Sequence, residues 1–384
     1  MKKMFNKLQT ALNELYKVAP ERETIIQSMA VALLAEQNVL LLGNPGTGKT
    51  YLTRHFAEVF ANDSFFHYLL TKTTKPEELF GPISFTALKQ DRFEHNSADK
   101  MPTKQVVLLD EIFKAGSSLL NSLLTILNEK LFFNGTKIEK VPMRLCVGCS
   151  NEYPEDESLN ALYDRFLIKF WVEYIQDRNI LKSALTNGFA KTSIRFSSEE
   201  IDAMKDEVKQ IDFSDKNAET LLNIKEALQA EGIEISDRTL FALPRLIKAK
   251  AYLSGRSTIL PSDFQILAEI VWRKHTDRPI VAQVVGNVSD PFGSRLQAIK
   301  DQAVSLGKSL PSIDLVRNGQ KTANDFIKDL VSPVSTNLQA LLVDLEEIED
   351  KTSPMFVEVS AIIEQNAKTC TDLARSALRA YKTA

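Results

Sequence analysis

Residues 38–60 constrain the fold more than any other stretch of the chain. Val39-Leu40-Leu41-Leu42 is wholly apolar, and Gly43-Asn44-Pro45-Gly46-Thr47-Gly48-Lys49-Thr50 follows it directly. Residues 49–60 then carry Leu52, Phe56 and Val59 at helical spacing. A short run with no polar face fits a strand buried on both sides, as in a parallel sheet covered by helices. The glycine-rich run matches G-x-x-x-x-G-K-[ST] at every fixed position, between a predicted strand and a predicted helix. There the glycines let backbone N–H groups turn inward around phosphates, and the helix N-terminus adds its positive dipole end. Lys49 is expected to reach the β- and γ-phosphates of a nucleotide, and Thr50 to ligate Mg²⁺. With Tyr51, residues Gly43 to Thr50 make up the candidate cofactor-binding set.

The α/β alternation continues beyond this unit. Residues 5–36 read as two helices broken near Pro20. Residues 65–70, 106–109, 145–149 and 166–170 read as strands, and 76–79 and 117–128 as helices. One hairpin interrupts the pattern, because Asn134-Gly135 between two short β-prone runs is a strong two-residue turn signal, with positive φ expected at both positions. After residue 172 the strands stop. Helices are expected at 174–186, 198–210, 215–231, 237–254 and 263–275, a linker at 276–290, and further helices near 291–307, 320–350 and 355–382. In the last of these regions Leu338, Leu341, Leu342, Leu345 and Ile348 form one apolar stripe. Ile363, Ala367, Cys370, Ala374, Ala377 and Tyr381 form another, and helices packing on each other account for both. The expected domains are an α/β core at 1–172, a helical lid at 173–278 and a helical C-terminal domain at 279–384.

Composition removes several classes. A length of 384 residues exceeds one ordinary core. The net charge of −3 lacks the basic surplus usual for duplex binding, so nucleic acid is a disfavoured partner. Met1-Lys2-Lys3 is followed by no apolar signal segment, and no run is long enough to span a membrane, so a cytoplasmic location is expected. Cys146 and Cys149 form a CxxC, but they lie in an apolar strand where residues three apart face opposite ways, and no second pair completes a metal site.

Val106-Val107-Leu108-Leu109-Asp110-Glu111 supplies the second half of a nucleotide site: a buried strand that brings carboxylates to its C-terminal edge. Asp110 is expected to hold the Mg²⁺ shell and Glu111 to polarise the attacking water. Several further segments carry a resemblance. They are Asp110-Glu111-Ile112-Phe113-Lys114-Ala115-Gly116, Leu124 to Glu129, the Asn134-Gly135 hairpin, Pro142-Met143-Arg144 and Ser150-Asn151-Glu152. Residues 71–82 and Ala161-Leu162-Tyr163-Asp164-Arg165-Phe166 add to them. Together they resemble the MoxR group of AAA+ ATPases over roughly residues 20–275, most closely its RavA branch.

The resemblance implies an α/β P-loop AAA+ core, a mainly parallel five-stranded sheet with helices on both faces, plus an all-α lid and an all-α C-terminal domain. It implies that Asn151 is the sensor amide beside the second motif, although a turn asparagine would read the same way. It also implies that Arg165 is an arginine finger acting on a neighbouring subunit's nucleotide, and that Arg238 is the lid's sensor arginine; a salt bridge and an ordinary helix-start arginine are their plain alternatives. A finger acting in trans implies a homo-oligomer, by family habit a hexameric ring, with ATP/ADP and Mg²⁺ as cofactors and a VWA-domain protein as the usual partner. The implied activity is ATP hydrolysis driving a chaperone or remodeller; the alternative is a nucleic-acid-stimulated translocase. A family insertion falls within residues 81–101, and the 131–140 hairpin is expected to face the pore. For Phe85, Phe93, Phe132 and Phe133, packing on their own subunit is the default expectation. Two departures stand out. Pro244 falls inside the predicted helix that carries Arg238, where a proline kinks or destabilises, and residues 276–384 lack the β-rich insertion of longer RavA relatives.

Overall fold

The computed structural model describes residues 2–61, 64–154, 159–348 and 354–382. The chain divides into two compact units, Met1–Ala282 and Gln283–Ala384. In the first, strands β1 (Val39–Leu42), β2 (Phe65–Leu69), β3 (Val106–Asp110), β6 (Leu145–Ser150) and β7 (Ile168–Trp171) form one parallel sheet in the order β2-β3-β6-β1-β7. The three central strands are buried along almost their whole length, which is why their sequences show no alternation. Helix Glu23–Ala35 buries ten residues and packs near β7, while helix Lys49–Phe60 packs on β3 and β6 through Leu52, Phe56, Val59 and Phe60. All five strands run the same way, so their C-terminal ends share one edge of the sheet.

The hairpin forms from β4 (Leu131–Asn134) and β5 (Lys137–Lys140), with a different turn from the expected one. Asn134 pairs with Lys137, so Gly135 and Thr136 are the central residues, and of these only Gly135 has positive φ, at 66°. This is the single-glycine primed turn. Asn134 is instead buried, with Nδ2 donating to the His95 carbonyl (3.1 Å) and to Glu139 Oε1 (2.8 Å) and Oδ1 accepting from the His95 amide (2.5 Å). A side chain at Gly135 would collide with the Phe93 carbonyl. Of the four phenylalanines expected to pack on their own subunit, only Phe132 is buried; Phe85, Phe93 and Phe133 are more than half exposed, although Phe93 meets the His95 ring at 5.7 Å. In the hairpin, strand alternation turns Phe132 inward and therefore Phe133 outward.

Beyond the sheet, helices span Arg178–Asn187, Ser198–Gln210, Asp215–Ala230 and Asp237–Leu253. The last continues through Pro244, which leaves only the Leu240 carbonyl without its usual donor. Residues 263–275 are not the expected α-helix: Pro261–Glu269 is a 3₁₀ run. Phe264, Ile266, Leu267 and Ala268 are buried on nearly every side of it, so α periodicity is not required, and Asp263 is committed to Arg256 through two bonds of 2.6 and 2.7 Å. The expected linker at 276–290 is likewise overturned. Helix Arg278–Ser289 forms there, with Val281 and Val285 fully buried. Pro279 lies in its first turn, where a missing N–H costs nothing.

In the second unit, helices Pro291–Lys308, Ser332–Glu346 and Pro354–Lys382 enclose a core that includes Leu296, Phe326, Leu338, Leu345 and Ile363. The two predicted stripes supply much of it, through Leu341 and Ile348 on one and Cys370 and Ala377 on the other. The side chain of Tyr381 lies outside the described residues. No strand occurs among the described residues of this unit, and no helix described in either unit is long and apolar enough to cross a membrane.

Candidate functional site

The C-terminal edge of the sheet gathers the motif residues. The loop from Gly43 to Gly48 leaves β1 and enters helix Lys49–Phe60. Gly46 and Gly48 have φ of 79° and 84°, and a Cβ added at either would meet nothing within 4 Å. Their backbone therefore faces an open cradle that side chains would strain and fill. Lys49 is buried, and its Nζ donates to the carbonyls of Gly43 (2.6 Å) and Asn44 (3.0 Å) and to Asn151 Oδ1 (2.9 Å). Burial lowers the Lys49 pKa from the ordinary lysine value, an effect partly offset by nearby acidic groups, among them Asp110 and Glu111. Thr47 Oγ1 donates to the Asn44 carbonyl at 3.0 Å, and the Pro45 carbonyl accepts from Tyr174 Oη at 3.0 Å.

Asp110 ends β3 opposite this loop. Thr50 Oγ1 donates to Asp110 Oδ2 at 2.7 Å, so two hard oxygen donors stand together beside the cradle. His67 Nε2 is 3.8 Å from the same oxygen, and burial together with Arg54 lowers the imidazole's pKa. Glu111 sits in left-handed backbone, with φ 53°. Asn151, just after β6, donates from Nδ2 to Glu111 Oε1 at 2.5 Å. The other carboxylate oxygen, Oε2, lies 3.2 Å from Lys114 Nζ and accepts no hydrogen bond. Lys49, Asn151 and Glu111 thus form one continuous relay. A hydrated magnesium ion suits the paired oxygens of Thr50 and Asp110, and a polyphosphate suits the open glycine cradle with its lysine.

Two predicted residues are not brought to this edge. Arg165 precedes β7, at the end of the sheet where the strands begin, and its carbonyl accepts from Asn38 Nδ2 at 3.1 Å. It is half-buried and its Nε has no hydrogen-bond partner. Arg238 is exposed in the first turn of its helix, and no hydrogen bond or ion pair among the described residues joins it to the phosphate loop. Cys146 and Cys149 are both buried thiols with raised pKa, and no group of three or more His, Cys, Asp or Glu side chains gathers around them or elsewhere among the described residues.

Sequence reasoning missed one feature. A cleft of about 470 Å³ opens beside Gly46–Gly48, lined also by Val18 to Pro20, Arg22, Tyr51, Tyr174, Leu181 and Phe189. Its lining comes from segments far apart in sequence, so no local motif marks it. Of its lining, Gly46 to Gly48 and Tyr51 belong to the glycine-rich motif and its flank; the remaining residues carry no such signal.

A P-loop after β1, a carboxylate pair after β3 and an amide after the strand between them define an AAA+ ATPase core. A model of the MoxR domain found in MoxR–vWA–β-propeller ternary systems matches residues 6–212, and a model of the AAA lid domain matches residues 217–285. The chain belongs to the MoxR family of AAA+ ATPases. An uncharacterized protein of Methanocaldococcus jannaschii is 33% identical over 93% of this chain and 95% of its own length. Chaperone MoxR1 of Mycobacterium tuberculosis is 27% identical over 44% of each chain. A crystal structure of a candidate ATPase from Cytophaga hutchinsonii superposes with a TM-score of 0.62, covering 74% of this chain and 94% of that one at 20% identity, and so shares the fold.

Proposed function

We propose that the chain is a Mg²⁺-dependent ATP hydrolase that works as a hexameric ring and remodels a VWA-domain partner in the cytoplasm.

 The observation that carries this reading is the relay from Lys49 through Asn151 to Glu111, set beside the Thr50–Asp110 pair and the open glycine cradle. ATP is the substrate whose terminal phosphoryl group passes to water, and a bound Mg²⁺ would neutralise the phosphate oxygens. Residues Gly46 to Gly48 donate backbone N–H groups to the phosphates, and Lys49 exchanges its loop carbonyls for phosphate oxygens. Thr50 and Asp110 would hold the magnesium shell. Glu111 takes up the proton of the attacking water, and Asn151 fixes the direction of that carboxylate. Arg165 acts on the nucleotide of the next subunit, in keeping with its place at the opposite edge of its own sheet. Arg238 closes the lid over nucleotide when the lid moves. The VWA partner is supported by the matching family model, whose description couples such domains with vWA and β-propeller proteins. The RavA-like placement rests on the core motifs alone.

Steady-state ATP hydrolysis by wild type and Glu111→Gln, across protein concentration and with or without Mg²⁺, tests the reading. Turnover should need Mg²⁺, rise more than linearly with concentration, and fall at least about a hundredfold in the variant while nucleotide still binds. Turnover strictly proportional to concentration down to monomer-favouring levels would remove the shared site. Stimulation by DNA would favour the translocase alternative, and capture of a VWA-domain protein by the ATP-bound variant would support the remodeller.

A further inference from the structure

Strand β2 brings one polar side chain to the acidic edge that lies outside both nucleotide motifs. In its pairing with β3, His67 stands opposite Leu108 and Leu69 opposite Asp110. Side chains two residues apart on a strand share a face, so His67 and Asp110 project from the same side of the sheet. Helix Lys49–Phe60 meets that side through two residues one turn apart, Thr50 and Arg54. Thr50 Oγ1 donates to Asp110 Oδ2 at 2.7 Å, and Arg54 Nη2 donates to His67 Nδ1 at 3.0 Å.

The Arg54 bond fixes the state of the imidazole. A guanidinium has donors only, so Nδ1 must offer its lone pair. The ring then carries its proton on Nε2, and an N–H faces Asp110. This nitrogen lies 3.8 Å from Asp110 Oδ2, beyond the ~3.2 Å reach of an N–H···O bond, and it is buried with no hydrogen-bond partner. A buried donor without an acceptor is costly, and a carboxylate oxygen within a short approach removes the cost. The same tautomer leaves Nε2 no lone pair to give a metal ion, so His67 is not itself a ligand. We propose that His67 is a positioning residue for the magnesium site: in the metal-loaded state its Nε2–H is the second donor to Asp110 Oδ2, beside Thr50, so that Oδ1 is left to the shell of the ion, and Arg54 keeps the ring in its donating form. The proposal rests on the nucleotide and magnesium reading above, and it adds the two residues that orient Asp110.

Titration of the full chain with Mn²⁺ at saturating ADP, followed by electron paramagnetic resonance, tests this, because Mn²⁺ takes the same oxygen ligands as Mg²⁺. His67→Phe keeps a ring without nitrogens and should weaken Mn²⁺ binding about tenfold, the lower end of what outer-shell partners contribute. His67→Gln can accept from Arg54 and donate to Asp110 through one amide, and should bring affinity back to within about threefold of wild type. Arg54→Met, at an exposed position, should weaken Mn²⁺ in the same direction and by less. ADP binding without metal should be equal in all four chains, and the Mn²⁺ spectrum should show no directly bonded nitrogen. Unchanged Mn²⁺ affinity in His67→Phe would overturn the proposal, as would equal losses in the Phe and Gln variants, which would assign the ring to packing. Loss of metal-free ADP binding in His67→Phe would assign it to support of helix Lys49–Phe60, and a bonded nitrogen absent from His67→Gln would make it a ligand; either overturns the positioning role while the nucleotide reading stands. A wild-type chain that binds neither ADP nor Mn²⁺ would overturn both.

Discussion

The two edges of the parallel sheet hold their cationic side chains differently. Where the strands end, Lys49 has three oxygen partners, Thr50 is bonded to Asp110, and Asn151 uses both ends of its amide. Where the strands begin, Asn38 Nδ2 reaches the carbonyls of Leu127 and Arg165, but Asn38 Oδ1, Arg165 Nε and Lys130 Nζ are buried without a hydrogen-bond partner. Burial lowers the Lys130 pKa, as expected for an ammonium with little compensation. Buried polar atoms are normally paired, so three orphans near one edge need a reason. The phosphate edge has orphans of its own, Glu111 Oε2 and His67 Nε2, but its lysine is fully paired; at the opposite edge it is the cationic groups, Arg165 Nε and Lys130 Nζ, that lack a partner, as the proposed finger edge would.

The strongest way to break that contrast is Arg165→Ala. If Arg165 completes a neighbour's site, its loss should cost about a thousandfold in ATP turnover, with nucleotide affinity little changed. Mixing Arg165→Ala chains with Glu111→Gln chains should then restore part of the activity, because some interfaces combine an intact glutamate with an intact arginine. Loss without any recovery on mixing would mean that Arg165 serves only its own fold.

What the sequence made legible follows the same division. Residues 43–50 and 106–111 are contiguous and their chemistry depends on backbone position, so the cradle and the acidic edge could be read without a fold. The strands could be read because burial on both faces leaves unbroken apolar runs, as in Val39–Leu42. The cleft could not, because Val18, Tyr174 and Phe189 come together only through the tertiary fold. The helix at 278–289 was hidden by its opening proline and its glycine, and the 3₁₀ run at 261–269 by burial that follows no period. The exposure of Phe85, Phe93 and Phe133 runs against the general preference of phenylalanine for the interior, which describes a residue type and not a position.

A smaller effect sharpens the contrast among lysines. Lys169, in β7, is buried with one carbonyl partner, Ile270 at 3.2 Å, and the Tyr163 ring at 5.0 Å, where Lys49 has three oxygens. Burial pulls its pKa from 10.5 down to about 8. Between those values the unfolded chain holds a proton that the folded chain has released, so this group adds stability as pH rises through the window and penalises folding below it. From pH 7.5 to 9.5 its contribution should grow by about 2 kcal/mol. Denaturant unfolding of Lys169→Met should lack that increment relative to wild type. An identical pH slope in the two proteins would show that the ammonium is better compensated than its single carbonyl suggests.

The smallest expected effect is at Asn38, and it addresses the orphans directly. Asn38→Ala removes donors from the Leu127 carbonyl (3.4 Å) and the Arg165 carbonyl (3.1 Å), and with them one unpaired acceptor, Oδ1. The two changes oppose each other, so the net loss should be about 1 kcal/mol in denaturant unfolding at low protein concentration. If a neighbouring copy pairs Oδ1 in the assembly, the alanine chain loses that bond too, and the deficit should grow as concentration rises. A deficit independent of concentration would leave Asn38 as a brace for Arg165 within one subunit, and the unpaired oxygen as a cost the fold carries alone.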